Sequence, residues 1–120
     1  MITAEAVLID LNALSDAAVG AGPQWGHASD DLNLTLLSWP AQHCVAAHVN
    51  NELDVVIVVV AGEGEVTVND QTFQLRAGQA LLIPKGAERA IRCSGERFSY
   101  LSVHRRRRGL MPTIGGKPIS

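Results

Sequence analysis

Short apolar runs alternate with polar positions along most of this chain, and glycine, proline, asparagine or aspartate interrupts them every 8–12 residues or about that. Residues 6–11, AVLIDL, alternate weakly and predict a first strand. Asn12 to Pro23 predicts a short helix or loop arm. Leu32 to Trp39 places Leu32, Leu34 and Leu36 on one face and Asn33 and Thr35 on the other, a half-buried strand ended by Pro40. Cys44 to Val49 predicts a third strand. Val55 to Ala61 is β-branched almost throughout, which predicts a strand buried on both faces. Gly62-Glu63-Gly64 predicts a turn. Glu65 to Val68 and Thr72 to Leu75 flank Asn69-Asp70, a hairpin signal. Ala80 to Ile83 and Arg89 to Cys93 flank the turn Pro84-Lys85-Gly86. Phe98 to His104 is the last strand, and residues from Gly109 onward form a Gly/Pro-rich tail. Many short strands without a long helix indicate an all-β barrel or sandwich. No repeat or linker divides the 120 residues, so the reading is one domain over 1–120. Its barrel core is expected at about 32–104, with an N-terminal strand or arm at 1–31 and a tail at 109–120.

Composition narrows the function classes. Apolar residues make up 47% and charged residues 18%, a globular profile. The formal charge of −2 gives no field that would favour nucleic acid or an anionic membrane. The longest apolar run, Val55 to Ala61, is too short to span a bilayer. The first residues lack a basic stretch and carry Glu5 and Asp10, unlike a signal peptide. Two cysteines in such a chain fit free thiols in the cytoplasm. The run Arg105 to Arg108 is read as a solvated strand end or as a partner of Asp30 and Asp31. Trp25, Trp39 and Tyr100 are expected in the core or an interface.

Two segments carry a family resemblance: His48 to Gly62, HVNNELDVVIVVVAG, and Gly78 to Arg89, GQALLIPKGAER. Over about residues 32–104 the chain resembles small single-domain cupins. The first cupin motif has two histidines, a glutamate and a glycine. Gly62 fits the glycine, and His48, Asn50 and Val55 stand in the three ligand positions. In the second motif Gly78, Pro84 and Gly86 fit, and Arg89 stands where the histidine belongs. The resemblance implies a single jelly-roll β-barrel. It also implies a homodimer, with residues 6–11 pairing between N-terminal strands.

The usual divalent transition metal is not expected at these positions. Val55 donates nothing, Arg89 has no lone pair, and Asn50 is a weak neutral ligand. A rebuilt site would draw on His48 with Glu52, His43 or His104, or on Asp54 or Cys44. An inward Arg89 needs a counter-charge. Asp54 or Glu52 could supply it structurally, or Arg89 could clamp a carboxylate or phosphate of a ligand. His48, Asn50 and Arg89 together would make a polar pocket floor. His48 is read either as a hydrogen-bonded core residue or as an acid/base catalyst. Strand alternation puts Cys44 on the face of His48, and Cys93 on that of Arg89. Two inward thiols near each other is one reading, two separate apolar positions the other.

Three functions remain open on this sequence. The first is a metal-free module that binds a small anionic or carbohydrate-like molecule through His48, Asn50, Arg89, Asp54 and Glu52. The second is an enzyme of isomerase, lyase or dioxygenase type, using His48 or a rebuilt metal site. The third is a structural domain whose barrel is filled by Val55, Ile57 and Val59.

Overall fold

The computed structural model describes residues 5–106, together with the backbone of two short strands, Thr113–Ile114 and Lys117–Pro118. One helix, α1 (Leu11–Asp16), precedes seven strands: β1 (Gly22–Ala28), β2 (Leu32–Pro40), β3 (Cys44–Val49), β4 (Val55–Val68), β5 (Gln71–Arg76), β6 (Ala80–Ile83) and β7 (Glu88–Arg105). β8 and β9 are the pair at 113–114 and 117–118. All strand pairs are antiparallel. The main order is β1-β2-β7-β4-β5, with β3 on β7 and β6 on β4. This is the all-β fold that the patterning indicated, in the jelly-roll form that the family resemblance implied.

β4 and β7 are long enough to serve both layers of the barrel. The first part of β4 pairs with β6 and with the second part of β7, which also pairs with β2. The second part of β4 pairs with β5 and with the first part of β7, which also pairs with β3. The crossing lies at Gly62 and Gly64. Gly62 has φ +76, and a Cβ there would stand 1.6 Å from the carbonyl oxygen of Arg97. A Cβ on Gly64 would meet the Phe98 ring at 2.3 Å. Gly62-Glu63-Gly64 is therefore a kink inside one strand and not a turn between two. The register slips on both sides of it, which lets the strand bend between layers.

The core lies between the layers. Val55, Ile57, Val59, Val66, Leu75, Ile83, Ile91, Cys93, Phe98 and Tyr100 form one buried cluster. Along β4 the burial alternates: Val56, Val58 and Val60 are only half-buried. The expectation of a strand buried on both faces does not hold there, because the outer face is only partly covered. In β2 it is Leu37 and Trp39 that pack on the core. Leu32, Leu34 and Leu36 take the opposite, outer face. Leu36, Ser38 and Ser99 are buried there, and α1 lies against β1, β2 and β4. Ser38 and Ser99 satisfy each other at 2.7 Å, and Arg97 Nη1 donates to Ser38 Oγ.

The expected strand over 6–11 is absent. Asp10 caps α1 instead, its Oδ1 accepting from Ala13 N at 3.0 Å, and Leu11 opens the helix. β1 had no apolar signal to announce it. Its sequence, GPQWGHA, carries Pro23 at a register slip, and it is an edge strand. The hairpin at Asn69-Asp70 forms as expected. Asn69 takes φ 53, and its Oδ1 accepts from Glu88 N at 3.1 Å, tying the turn to β7.

Candidate functional site

The pairing of β3 with the first part of β7 sets His48 opposite Arg89. Arg89 is in phase with the buried Ile91 and Cys93, so it belongs to the inner face. Arg89 Nε donates to His48 Nε2 at 3.2 Å. His48 Nδ1 stands 3.3 Å from the carbonyl oxygen of Ala46. Because Nε2 accepts, the ring proton belongs on Nδ1, where it is donated to Ala46. The imidazole thus holds the guanidinium in place from one side.

Tyr100, on the second part of β7, is buried among the core residues. Burial pushes its phenol above the ordinary value, while the hydrogen bond from Trp39 and the positive charge of Arg89 act the other way. Trp39 Nε1 donates to the Tyr100 hydroxyl at 3.0 Å. His43 stacks on Trp39, with ring centroids 4.6 Å apart and planes 7° from parallel. Strand register extends the polar lining on this inner face. Ser102 pairs with Thr35 and Ile57, and His104 pairs with Asn33 and Val55. Thr35, Ser102, Asn33 and His104 are all half-buried. The inner face thus carries one cation and several hydroxyl or amide groups beside the apolar core.

The other candidate residues have these contacts and positions. Asn50 Oδ1 accepts from Glu52 N and Leu53 N, at 2.9 and 3.2 Å. Its own carbonyl accepts from Gly86 N at 2.7 Å. Asn50 is thus a turn-forming residue joining the 50–53 loop to the Pro84-Lys85-Gly86 turn. Asp54 Oδ1 accepts from Lys85 N at 2.9 Å, which fixes that same turn. Glu52 is exposed on the loop. His104 Nδ1 lies 2.9 Å from the carbonyl oxygen of Arg105. Among the described residues, no three His, Cys, Asp or Glu side chains come together as a metal site.

The metal that the motif implies does not fit these residues. Val55 is buried and has no donor atom. Arg89 brings a fixed positive charge. The side-chain oxygen of Asn50 serves backbone amides, and His48 Nε2 already accepts from Arg89.

The two thiols separate for a specific reason. Cys44 pairs with Arg92 and Val45 with Ile91, but His48 pairs with Arg89. One extra residue is inserted at Ala46-Ala47, a bulge that reverses the alternation. Cys44 therefore faces outward and is exposed, whereas Cys93 is buried in the core. On that outer face Arg92 donates to Glu65 Oε2 through Nε and Nη2, at 3.0 and 2.8 Å. A hydrogen bond from Gln74, with Arg92 next, holds the Glu65 carboxyl below its ordinary range. Of the arginine run, Arg105 ends β7, and Arg106 bonds the carbonyls of Ser29 and Asp31. Arg107 and Arg108 lie outside the described residues. No helix among the described residues is long and apolar enough to cross a membrane.

Sequence reading passed over Tyr100, Trp39, Thr35 and Ser102 as site residues. Their common parity with the buried valines of β4 is the signal that marks them, and it becomes visible once the strand register is known.

Comparison with known proteins agrees with this architecture. The cupin domain family matches residues 38–104. A Bacillus halodurans protein of solved structure superposes with a TM-score of 0.77 at 17% identity, over 88% of this chain and 84% of its own. A cupin-2 domain containing protein from Shewanella frigidimarina gives 0.69 at 23% identity, over 82% and 95%. KdgF from a Halomonas species gives 0.64 at 19% identity, over 72% and 78%. At these identities the likeness is one of fold. No curated protein matches in sequence. The family match covers both motif segments and the strands that carry His48, Arg89 and Tyr100: the chain belongs to the cupin domain family.

Proposed function

We propose that this cupin domain binds a small carboxylate-bearing molecule, such as a sugar acid, between Arg89 and Tyr100, without a metal. The observation that carries the reading is the bond from Arg89 Nε to His48 Nε2, made at 3.2 Å across the β3–β7 pair, with His48 exposed. It anchors one edge of a guanidinium, a group whose planar fork geometry suits a carboxylate. Tyr100 is buried, and the charge of Arg89 acts to lower its phenol against the effect of burial. Thr35 and Ser102 lie on the inner face and supply hydroxyls for the rest of the molecule. His48 is a positioning residue here: its ring sets the direction of Arg89 and does not itself meet the ligand.

Thermal-shift screening tests this reading with malonate, glucuronate, glucose 6-phosphate and, as a neutral control, glucose. Glucuronate or malonate should raise the melting temperature and glucose should not. Arg89→Gln should remove the effect. His48→Ala should weaken binding about tenfold, the size of one lost charge-assisted hydrogen bond. Equal stabilisation of wild type and Arg89→Gln would refute the site.

A further inference from the structure

The two outer faces of the barrel have opposite chemistry. On the layer that holds β3 and β5, the face is a polar ladder: Gln74, Glu65 and Arg92 are linked by hydrogen bonds, and Thr67 pairs with Thr72. On the layer that holds β1, β2 and β6, Leu82, Val56, Val103 and Leu34 form an apolar cross-strand row. A groove of about 400 Å³ takes in part of this row. Its apolar lining is Leu32, Leu53, Val56 and Val103, and its charged lining is Asp54, Lys85 and Arg105.

The strand register explains why three charges gather there. β4 and β7 pair Val56 with Val103 and Val55 with His104, so Asp54, the residue before β4, falls opposite Arg105. Arg105 in turn pairs with Leu32 on β2. The turn Pro84-Lys85-Gly86 follows β6, which pairs with the same part of β4. Asp54 Oδ1 accepts from Lys85 N at 2.9 Å, which brings the turn to the carboxylate. Among the described residues, no salt bridge joins Asp54 to Lys85 or Arg105.

We propose that this groove binds an α-amino acid with a large apolar side chain, at a site separate from Arg89. Its volume falls within the roughly 300–1,000 Å³ of small-molecule sites. A rim of one sign would suit a fatty acid or an amine. This rim carries two cations and one carboxylate, the complement of a zwitterion. The carboxylate of the amino acid is placed with Lys85 and Arg105, its ammonium with Asp54 Oδ2, and its side chain on Leu32, Val56 and Val103. Leu32 is 46% exposed, so the side chain removes apolar surface from water on binding. The three charged residues are exposed, so the expected dissociation constant is on the order of 1 mM. The site rests on the groove and the register around it, and it stands or falls independently of the Arg89 pocket.

Carbon–proton NMR of the methyl groups tests the proposal with L-phenylalanine. Hydrocinnamate and phenethylamine are the analogues that each keep one of its two charges. Phenylalanine should shift the methyls of Leu32, Val56 and Val103 saturably and leave those of Val66, in the other layer, fixed. Each analogue should bind about fivefold more weakly, the size of one exposed ion pair. Arg105→Gln should weaken phenylalanine by a similar factor and leave phenethylamine unchanged. Asp54→Asn should weaken phenylalanine and not hydrocinnamate. Asparagine keeps an oxygen for Lys85 N, and thermal melts confirm that both variants fold. Methyl signals that stay fixed up to the solubility limit of phenylalanine overturn the proposal. So does either analogue binding as tightly as phenylalanine, which would reduce the site to a single charge. Phenylalanine binding equally to the wild type and both variants also overturns it.

Discussion

At the scale of single residues, Gly62 and Tyr100 make opposite kinds of demand. Gly62 must be glycine because backbone, and not a movable side chain, fills the space beside it. Gly62→Ala should cost roughly 3–5 kcal/mol in chemical denaturation, since strain at positive φ adds to a clash with the Arg97 carbonyl. Gly64→Ala should cost less, because a phenyl ring can shift where a carbonyl cannot. Tyr100 is the chain's one tyrosine, so phenolate absorbance reports it alone. Burial raises its native ionisation above the ordinary value, so the folded state keeps its proton longer than the unfolded state does. Stability should therefore be unaffected below the usual phenol range, about pH 10, and fall as pH rises from there through the raised native value. Tyr100→Phe should abolish that slope. Arg89→Gln should push the phenol higher still, because the lost charge acts to lower it. The inward parity of Arg89 could be read from Ile91 and Cys93 in the sequence. The diversion of Asn50 could not, because only the fold shows the amides of Glu52 and Leu53 waiting for its oxygen.

At the scale of elements, turn chemistry was legible and irregularities were not. Asn69-Asp70 announces its hairpin because asparagine tolerates the left-handed conformation that it adopts. The β3 bulge leaves no such mark, since Ala46 and Ala47 look like any strand residues. Yet that one inserted residue sends Cys44 outward. The consequence is measurable with a thiol reagent: Cys44 should react fast in the folded protein, and Cys93 only as it unfolds. No intramolecular disulfide should form under mild oxidation. β1 escaped notice because edge strands need few apolar residues. The break that Gly62-Glu63-Gly64 suggests became a bend, since both flanking stretches find partners in β7.

At the scale of the whole molecule, the barrel separates three surfaces by chemistry. The inner space is apolar at its core and polar around Arg89, Tyr100, Thr35 and Ser102. One outer face is polar, and the other is apolar. The cupin framework was readable from its glycines and proline. The polar inner-face positions were not, because Thr35, Tyr100 and Ser102 lie on β2 and the end of β7, outside both motifs. The central claim is that Arg89, held by His48, receives a carboxylate beside Tyr100. Proton–nitrogen NMR of the arginine Nε–H groups during a glucuronate titration tests it most directly. The expected result is a saturable shift of Arg89 Nε–H and of the Tyr100 ring, with Arg92 unmoved in its pair with Glu65. Arg89 and Tyr100 signals that stay fixed as glucuronate reaches excess would contradict it.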